Sequence, residues 1–307
     1  MKPFAIEMKN VSKTVHEDTI LHNINLQIPE GELLGIFGNR GSGKSTLLRV
    51  ISGLFKHSEG EINIFQFNMN ENYVHAISVI DGFINAPRFY PNLTGLENLE
   101  LTFIALGKRN KEILMQIIEL FKLSDFIHKK TKHYDLFAKQ KLALAQALIS
   151  KPKILLLDQP TNGLADDEIE EYFQYLQILT RDKGITVLFT SNNMPEIQPI
   201  CDRIIVLEKG EIVNEFNYKL DDERQYFRYM LQVNAPSLAT YIIETHLPLL
   251  HGLVREFATY ITLVTNKKTV PKIIEFLAKN GIEVYELTKL EQANAFMNSK
   301  LFGDDHL

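Results

Sequence analysis

The chain has 307 residues, 45% of them hydrophobic and 23% charged, with a net charge of −5. That is enough for one large or two modest domains with a buried core. The acidic balance gives no reason to propose a nucleic-acid partner, and a lone cysteine, Cys201, excludes an intrachain disulfide and any need for an oxidising compartment. No segment reads as a signal peptide, and no apolar run approaches the roughly 20 residues of a membrane helix. Any membrane work therefore falls to another chain.

In chain order, residues 1–32 read as alternating strands, for example Phe4 to Met8 and Ile24 to Ile28, closed by the turn Pro29-Glu30-Gly31-Glu32. The apolar run Leu33 to Phe37 leads into Gly38-Asn39-Arg40-Gly41-Ser42-Gly43-Lys44-Ser45-Thr46, followed by the helix-like Leu47 to Ile51. Strand, glycine loop and helix in this spacing fit the phosphate-binding loop, whose parts have the following roles. Backbone N–H groups cradle the phosphates, Lys44 reaches the β- and γ-phosphates, and the Ser45 hydroxyl holds Mg²⁺. The helix N-terminus adds partial positive charge.

Gly60 to Phe65 reads as another strand, and residues 96–150 as mostly helical, with clear periodicity from Glu112 to Lys122 and Leu136 to Ile149. Ile154-Leu155-Leu156-Leu157-Asp158 is a short apolar strand ending in an acid, as a buried parallel strand does. A helix over 167–181 and strands over Thr186–Thr190 and Arg203–Leu207 follow. The motifs stop near residue 215. Beyond it, Ile261 to Val264, a helix from Pro271 to Lys279 and Ile282 to Leu287 after Gly281 suggest a small α/β accessory domain. The expected division is 1–215 and 216–307, and nothing in the second part reads as chemistry.

The ordered set of Gly38–Thr46, Tyr134–Ala143, Leu155–Leu164 and Cys201–Ile204 resembles the nucleotide-binding subunit of ATP-binding-cassette transporters over residues 4 to about 215. Pro87 to Thr94 and Glu97-Asn98-Leu99 are similar to the bacitracin and lantibiotic exporter branch. The resemblance implies an α/β phosphate-loop core with an antiparallel β subdomain and a helical subdomain. It implies ATP and Mg²⁺ as ligands, with Ser45 and Asp158 on the metal. It also implies a separate transmembrane permease, a homodimer or heterodimer with a second nucleotide-binding subunit, and a cytoplasmic place on the inner face of the membrane.

The same resemblance exposes departures. The glutamate that polarises the attacking water is Gln159 here, the switch histidine is Asn192, and the sensor glutamine or glutamate is Asn85. An aromatic expected on the adenine aligns near Val15, with His16 a weak substitute. The loop aspartate aligns with Ala165, and Asp166 follows it. In the signature Tyr-Ser-x-Gly-x-x-Gln, this chain has Tyr134-Asp135-Leu136-Phe137-Ala138-Lys139-Gln140. Ionised Asp135 only accepts hydrogen bonds. Its other reading is the N-cap of a helix starting at Leu136. The expectation is an ATP–Mg²⁺ binder with weak or absent hydrolysis. The alternatives are a non-hydrolytic regulatory or dimerisation module, and an active ATPase with rearranged residues.

Overall fold

The computed structural model describes residues 3–107, 110–218, 226–246, 254–266 and 269–292. The chain divides into two compact units, Met1–Phe216 and Asn217–Leu307.

In the first unit, β1 (Phe4–Val15) and β2 (Asp18–Pro29) form an antiparallel hairpin. Leu21, Ile24, Leu26 and Ile28 are buried along β2, as alternation predicts. β3 (Leu33–Phe37) runs into the glycine loop and then α1 (Lys44–Ile51). β4 (Glu59–Ile64), β5 (Phe67–Asn68), α2 (Tyr73–Ile77) and β6 (Ile80–Phe83) follow. The β1, β2, β4 and β5 strands make one four-stranded sheet in the order β2-β1-β4-β5.

The region expected to be mostly helical contains α3 (Gly95–Ala105), α4 (Lys111–Leu120), a 3-10 turn at Thr131–His133 and α5 (Leu136–Leu148). Each helix starts at a polar cap. Thr94 Oγ1 accepts from Glu97 N while the Glu97 carboxylate accepts from Thr94 N, a reciprocal pair. Asn110 Oδ1 accepts from Ile113 N at 3.1 Å, and Asp135 Oδ1 from Ala138 N at 2.7 Å.

β7 (Ile154–Leu157), α6 (Asp166–Arg181), β8 (Thr186–Ser191), α7 (Met194–Ile197), β9 (Arg203–Glu208) and β10 (Glu211–Asn217) complete the unit. The second sheet has six strands in the order β10-β9-β3-β8-β7-β6. β6, β7, β8, β3 and β9 pair in parallel. Parallel strands bury both faces, which explains why every residue of β7 and β8 is buried and why β7 is wholly apolar. Leu47, Leu48, Val50 and Ile51 of α1 join residues of both sheets in one apolar core. Because the strands are parallel, the residues following β3, β6, β7 and β8 all emerge at the same carboxyl edge, where such sheets carry their sites.

The second unit is β11 (Tyr226–Val233), α8 (Pro236–His246), β12 (Val254–Glu256), β13 (Tyr260–Asn266), α9 (Thr269–Lys279) and β14 (Val284–Gln292). The antiparallel sheet order is β12-β13-β11-β14, a split β-α-β-β-α-β arrangement. Leu231, Ile243, Ile261, Leu263, Ile273 and Leu277 form its core. Residues 219–225, 247–253, 267–268 and 293–307 of the expected accessory domain lie outside the described residues.

Candidate functional site

The glycine loop between β3 and α1 is built by positions no larger residue can take. A Cβ on Gly38 would lie 2.3 Å from the Leu207 carbonyl oxygen, and Gly43 has φ +105° with a Cβ site 3.0 Å from Leu21. Ser42 N donates to Asn39 O at 3.2 Å, and Leu47 N to Gly43 O at 2.8 Å, which closes the first turn of α1. Lys44 is buried, and its ammonium donates to Gly38 O at 2.6 Å and Asn39 O at 2.8 Å. Burial holds its pKa below the ordinary lysine value, with the Asp158 carboxylate opposing that shift. The Ser42 hydroxyl oxygen is buried with no hydrogen-bond partner among the described residues. A buried unpaired hydroxyl, a buried cation and a helix N-terminus in one loop suit a polyanionic ligand.

Asp158 follows β7, two parallel strands away from β3. Its backbone N–H donates to Phe83 O at 3.0 Å, and its Oδ1 accepts from Thr190 Oγ1 at 2.7 Å. The Thr190 hydroxyl in turn accepts from Gln159 N at 2.8 Å. One threonine at the end of β8 therefore ties down two candidate residues after β7. Gln159 itself has φ +48°. Ser45 and Asp158 supply hydroxyl and carboxylate oxygens, the donor chemistry a hard divalent cation takes.

Gln159 and Asn192 line one cleft of about 290 Å³ together with Thr161, Asn162, Gly163, Asp166, Thr190 and Glu196. The Glu196 carboxylate accepts from the Thr161 hydroxyl. Ala165 takes the cap position of α6, its N–H held by Glu168 Oε2 at 2.9 Å, and Asp166 is the first helical residue. Asn85 lies beyond β6 with φ +83°, and its Oδ1 accepts from Arg49 at 3.0 Å. Val15 ends β1, 37% exposed, and His16 follows in the hairpin turn at φ +57°.

The signature segment meets the Gln159 cleft at Leu136, whose Cδ2 would lie 3.2 Å from a Cβ placed on Gly163. Asp135 caps α5, as its second reading has it. Phe137 carries the Lys141 ammonium 4.5 Å above its ring. Lys141 is buried and also lies 5.4 Å from the Phe126 ring and 3.7 Å from Glu171. Gln140 is buried with Oε1 unpartnered among the described residues. Among those residues, no hydrogen bond or ion pair joins Asp135, Phe137 or Gln140 to loop 38–46.

Sequence reasoning missed Thr190, Glu196 and Arg49. Thr190 and Glu196 join the site only through strand order, which one sequence does not reveal. Arg49 carried a signal, since it stands four residues after Ser45 on the same helix face.

The model of the ABC transporter family matches residues 21–162. ABC transporter ATP-binding protein YhcH of Bacillus subtilis (strain 168) is 35% identical over 285 residues, covering 92% of this chain and 91% of that one. Bacitracin transport ATP-binding protein BcrA of Enterococcus faecalis is 30% identical over 300 residues, covering 98% and 97%. The dimeric post-hydrolysis structure of the ATP-binding cassette MJ0796 bound to ADP and Pi is 31% identical with TM-score 0.62, covering 69% of this chain and 98% of that one. A glycine loop feeding α1 and near full-length similarity to YhcH and BcrA lead to one conclusion: the chain belongs to the ABC transporter family.

Proposed function

We propose that this chain is the ATP-binding subunit of a transporter, holding ATP–Mg²⁺ through Gly38–Thr46 and Asp158 while hydrolysing it slowly or not at all. The observation that carries this reading is the contrast between two parts of one sheet edge. The loop keeps its glycines, buried Lys44 and helix N-terminus, whereas Gln159 and Asn192 bring amides to the neighbouring cleft. An amide orients water but does not take its proton, and loss of general-base help costs roughly 10²–10⁴-fold in rate. The Asp135 cap adds to this. Two unit charges about 4 Å apart repel by about 4 kcal/mol at an effective dielectric of 20, so Asp135 disfavours a triphosphate presented by a second subunit.

The partners are a separate transmembrane permease and a second nucleotide-binding subunit, identical or not, with this chain peripheral on the cytoplasmic face. Among the described residues no helix is long and apolar enough to cross a membrane. Similarity to a bacitracin transport protein supports a peptide-antibiotic cargo. The test is equilibrium binding of a non-hydrolysable ATP analogue with Mg²⁺ to the purified chain and to Lys44→Ala. Binding to the first and its loss in the second supports the reading, and equal binding contradicts it.

A second reading, an ATPase with rearranged chemistry, has one observation in its favour: the Glu196 carboxylate lines the same cleft as Gln159. Phosphate release that is fast in the presence of the permease and abolished by Glu196→Gln would select it.

A further inference from the structure

The chain is acidic, with a net charge of −5, yet His128-Lys129-Lys130-Thr131-Lys132-His133 holds lysines and histidines and no acid. All of these but Thr131 are exposed. The run is stitched to the segment before α3. Leu96 N donates to Ile127 O at 2.9 Å, Gly95 N to Lys129 O at 3.2 Å, Thr131 N to Leu93 O at 2.9 Å and Lys132 N to Pro91 O at 3.1 Å. The Thr131 hydroxyl donates to Tyr90 O at 2.9 Å, and Tyr90 N donates to the buried Asn98 Oδ1 at 2.8 Å. Both backbone groups of Tyr90 are thus bonded, while its side chain stays 65% exposed next to the basic run. Arg88, two residues earlier, is exposed as well.

Two neighbouring acids are engaged elsewhere. The Lys130 charge reaches Glu97, but the Glu97 carboxylate accepts from Thr94 N and from the Thr94 hydroxyl. Asp135 caps α5. Among the described residues, Arg88, Lys129, Lys130 and Lys132 are in no ion pair. Lysine outnumbers arginine on this face, and a compact, strongly hydrated ammonium suits a diffuse negative potential better than a planar bidentate acceptor. The apolar ring and polar tip of a tyrosine suit the boundary between lipid headgroups and water. We propose that this face binds the headgroup layer of an anionic phospholipid bilayer directly, the lysines through its surface potential and Tyr90 through its interface. This rests on the proposed place at the cytoplasmic face and gives the chain a membrane contact of its own, separate from any permease.

The test is flotation of the full chain with extruded vesicles, either phosphatidylcholine alone or phosphatidylcholine with a quarter phosphatidylglycerol. The chain is expected to float with the mixed vesicles at about 0.1 M salt and to stay behind at about 1 M, where the screening length falls to roughly 3 Å. It should stay behind with phosphatidylcholine alone at both. Lys129→Gln, Lys130→Gln and Lys132→Gln together are expected to lower the partition coefficient on the order of 100-fold, about fivefold for each lysine. Tyr90→Ser lowers it severalfold and leaves the salt dependence as it is. Lys9→Gln, Lys111→Gln and Lys183→Gln together change the net charge equally at exposed positions elsewhere, and this variant stays near the unaltered chain. An unchanged melting temperature shows each variant folded. No flotation with the mixed vesicles, or an equal loss in the two triple variants, overturns the inference. So does binding to soluble polyglutamate as tight as to the mixed vesicles, which marks a face for an acidic protein. None of these substitutions touches loop 38–46. Analogue binding that is lost in Lys44→Ala therefore keeps the nucleotide reading standing where flotation fails, and absent analogue binding overturns that reading while leaving the flotation result intact.

Discussion

At the residue scale, Asp135 does two jobs that substitution can separate. Its carboxylate caps α5 through Ala138 N, and on the proposed reading it puts a negative charge where a second subunit's triphosphate would come. Asp135→Ser keeps a capping oxygen and removes the charge, so thermal stability should hold. Asp135→Ala removes both and should cost about 1 kcal/mol in chemical denaturation. A larger loss in the serine variant than in the alanine variant would contradict the cap. Gln159→Glu with Asn192→His restores proton-accepting groups in the cleft. Phosphate release should rise only modestly while Asp135 and Phe137 remain, because the surface offered to a second subunit stays altered. A rise of 10²-fold or more would show that those two residues do not limit turnover. The glycine loop was legible at this scale because its spacing and residue types carry its geometry. Thr190 was not, since its partners Asp158 and Gln159 lie more than thirty positions away and meet it only through the pairing of β7 with β8.

At the element scale, the expected helices over 96–150 appear as three separate helices because each has its own cap, Thr94, Asn110 or Asp135. The entry into α3 is tightly packed. A Cβ on Gly95 would lie 2.2 Å from the Tyr134 hydroxyl, which donates to Phe126 O at 2.7 Å. Burial pushes the pKa of that hydroxyl up to about 12. Gly95→Ala should destabilise by about 1–3 kcal/mol, and Tyr134→Phe should recover part of the loss by deleting the contacting oxygen. Additive losses in the double variant would contradict the contact. The backbone and hydroxyl of Thr94 hold the Glu97 carboxylate below its ordinary value of 4.5. A folded-state value below the unfolded one gives stability that is present above 4.5 and lost as pH falls through the lower folded value. The melting-temperature gap between the unaltered chain and Glu97→Gln should therefore close in that acid range, and a gap that widens would contradict it. Short elements such as α2 and α7 escaped sequence reading, because five and four residues carry too little periodicity to register. β6 escaped it for a different reason: Asp81 and Gly82 interrupt its apolar run.

At the scale of the whole molecule, the first unit is closed by a buried ion pair between residues far apart in sequence. Arg203 at the start of β9 donates to both Glu32 carboxylate oxygens at 3.0 Å, and to Glu215 at 2.9 Å. Burial alone lowers the Arg203 pKa, but the bonds and charges of Glu32 and Glu215 outweigh it, and the net shift is upward. Arg203→Met removes the cation from beside a buried carboxylate and should cost about 3–5 kcal/mol in denaturant unfolding. A loss under about 1 kcal/mol, the scale of an exposed pair, would contradict a buried role. The second unit was only half legible. Its β13, α9 and β14 are periodic in sequence, but β11 and α8 carry mixed patterns that a single chain does not resolve.

The central claim is that this subunit retains nucleotide binding and has given up most of its cleavage. It is tested most directly by measuring, on one purified sample of the full chain, ATP–Mg²⁺ binding by equilibrium dialysis and phosphate release at saturation. The account predicts saturable binding at or below about 1 mM, with turnover under roughly 0.1 per second, a typical enzyme rate reduced at least 10²-fold. No uptake at that concentration, or release at several per second by the chain alone, would contradict it.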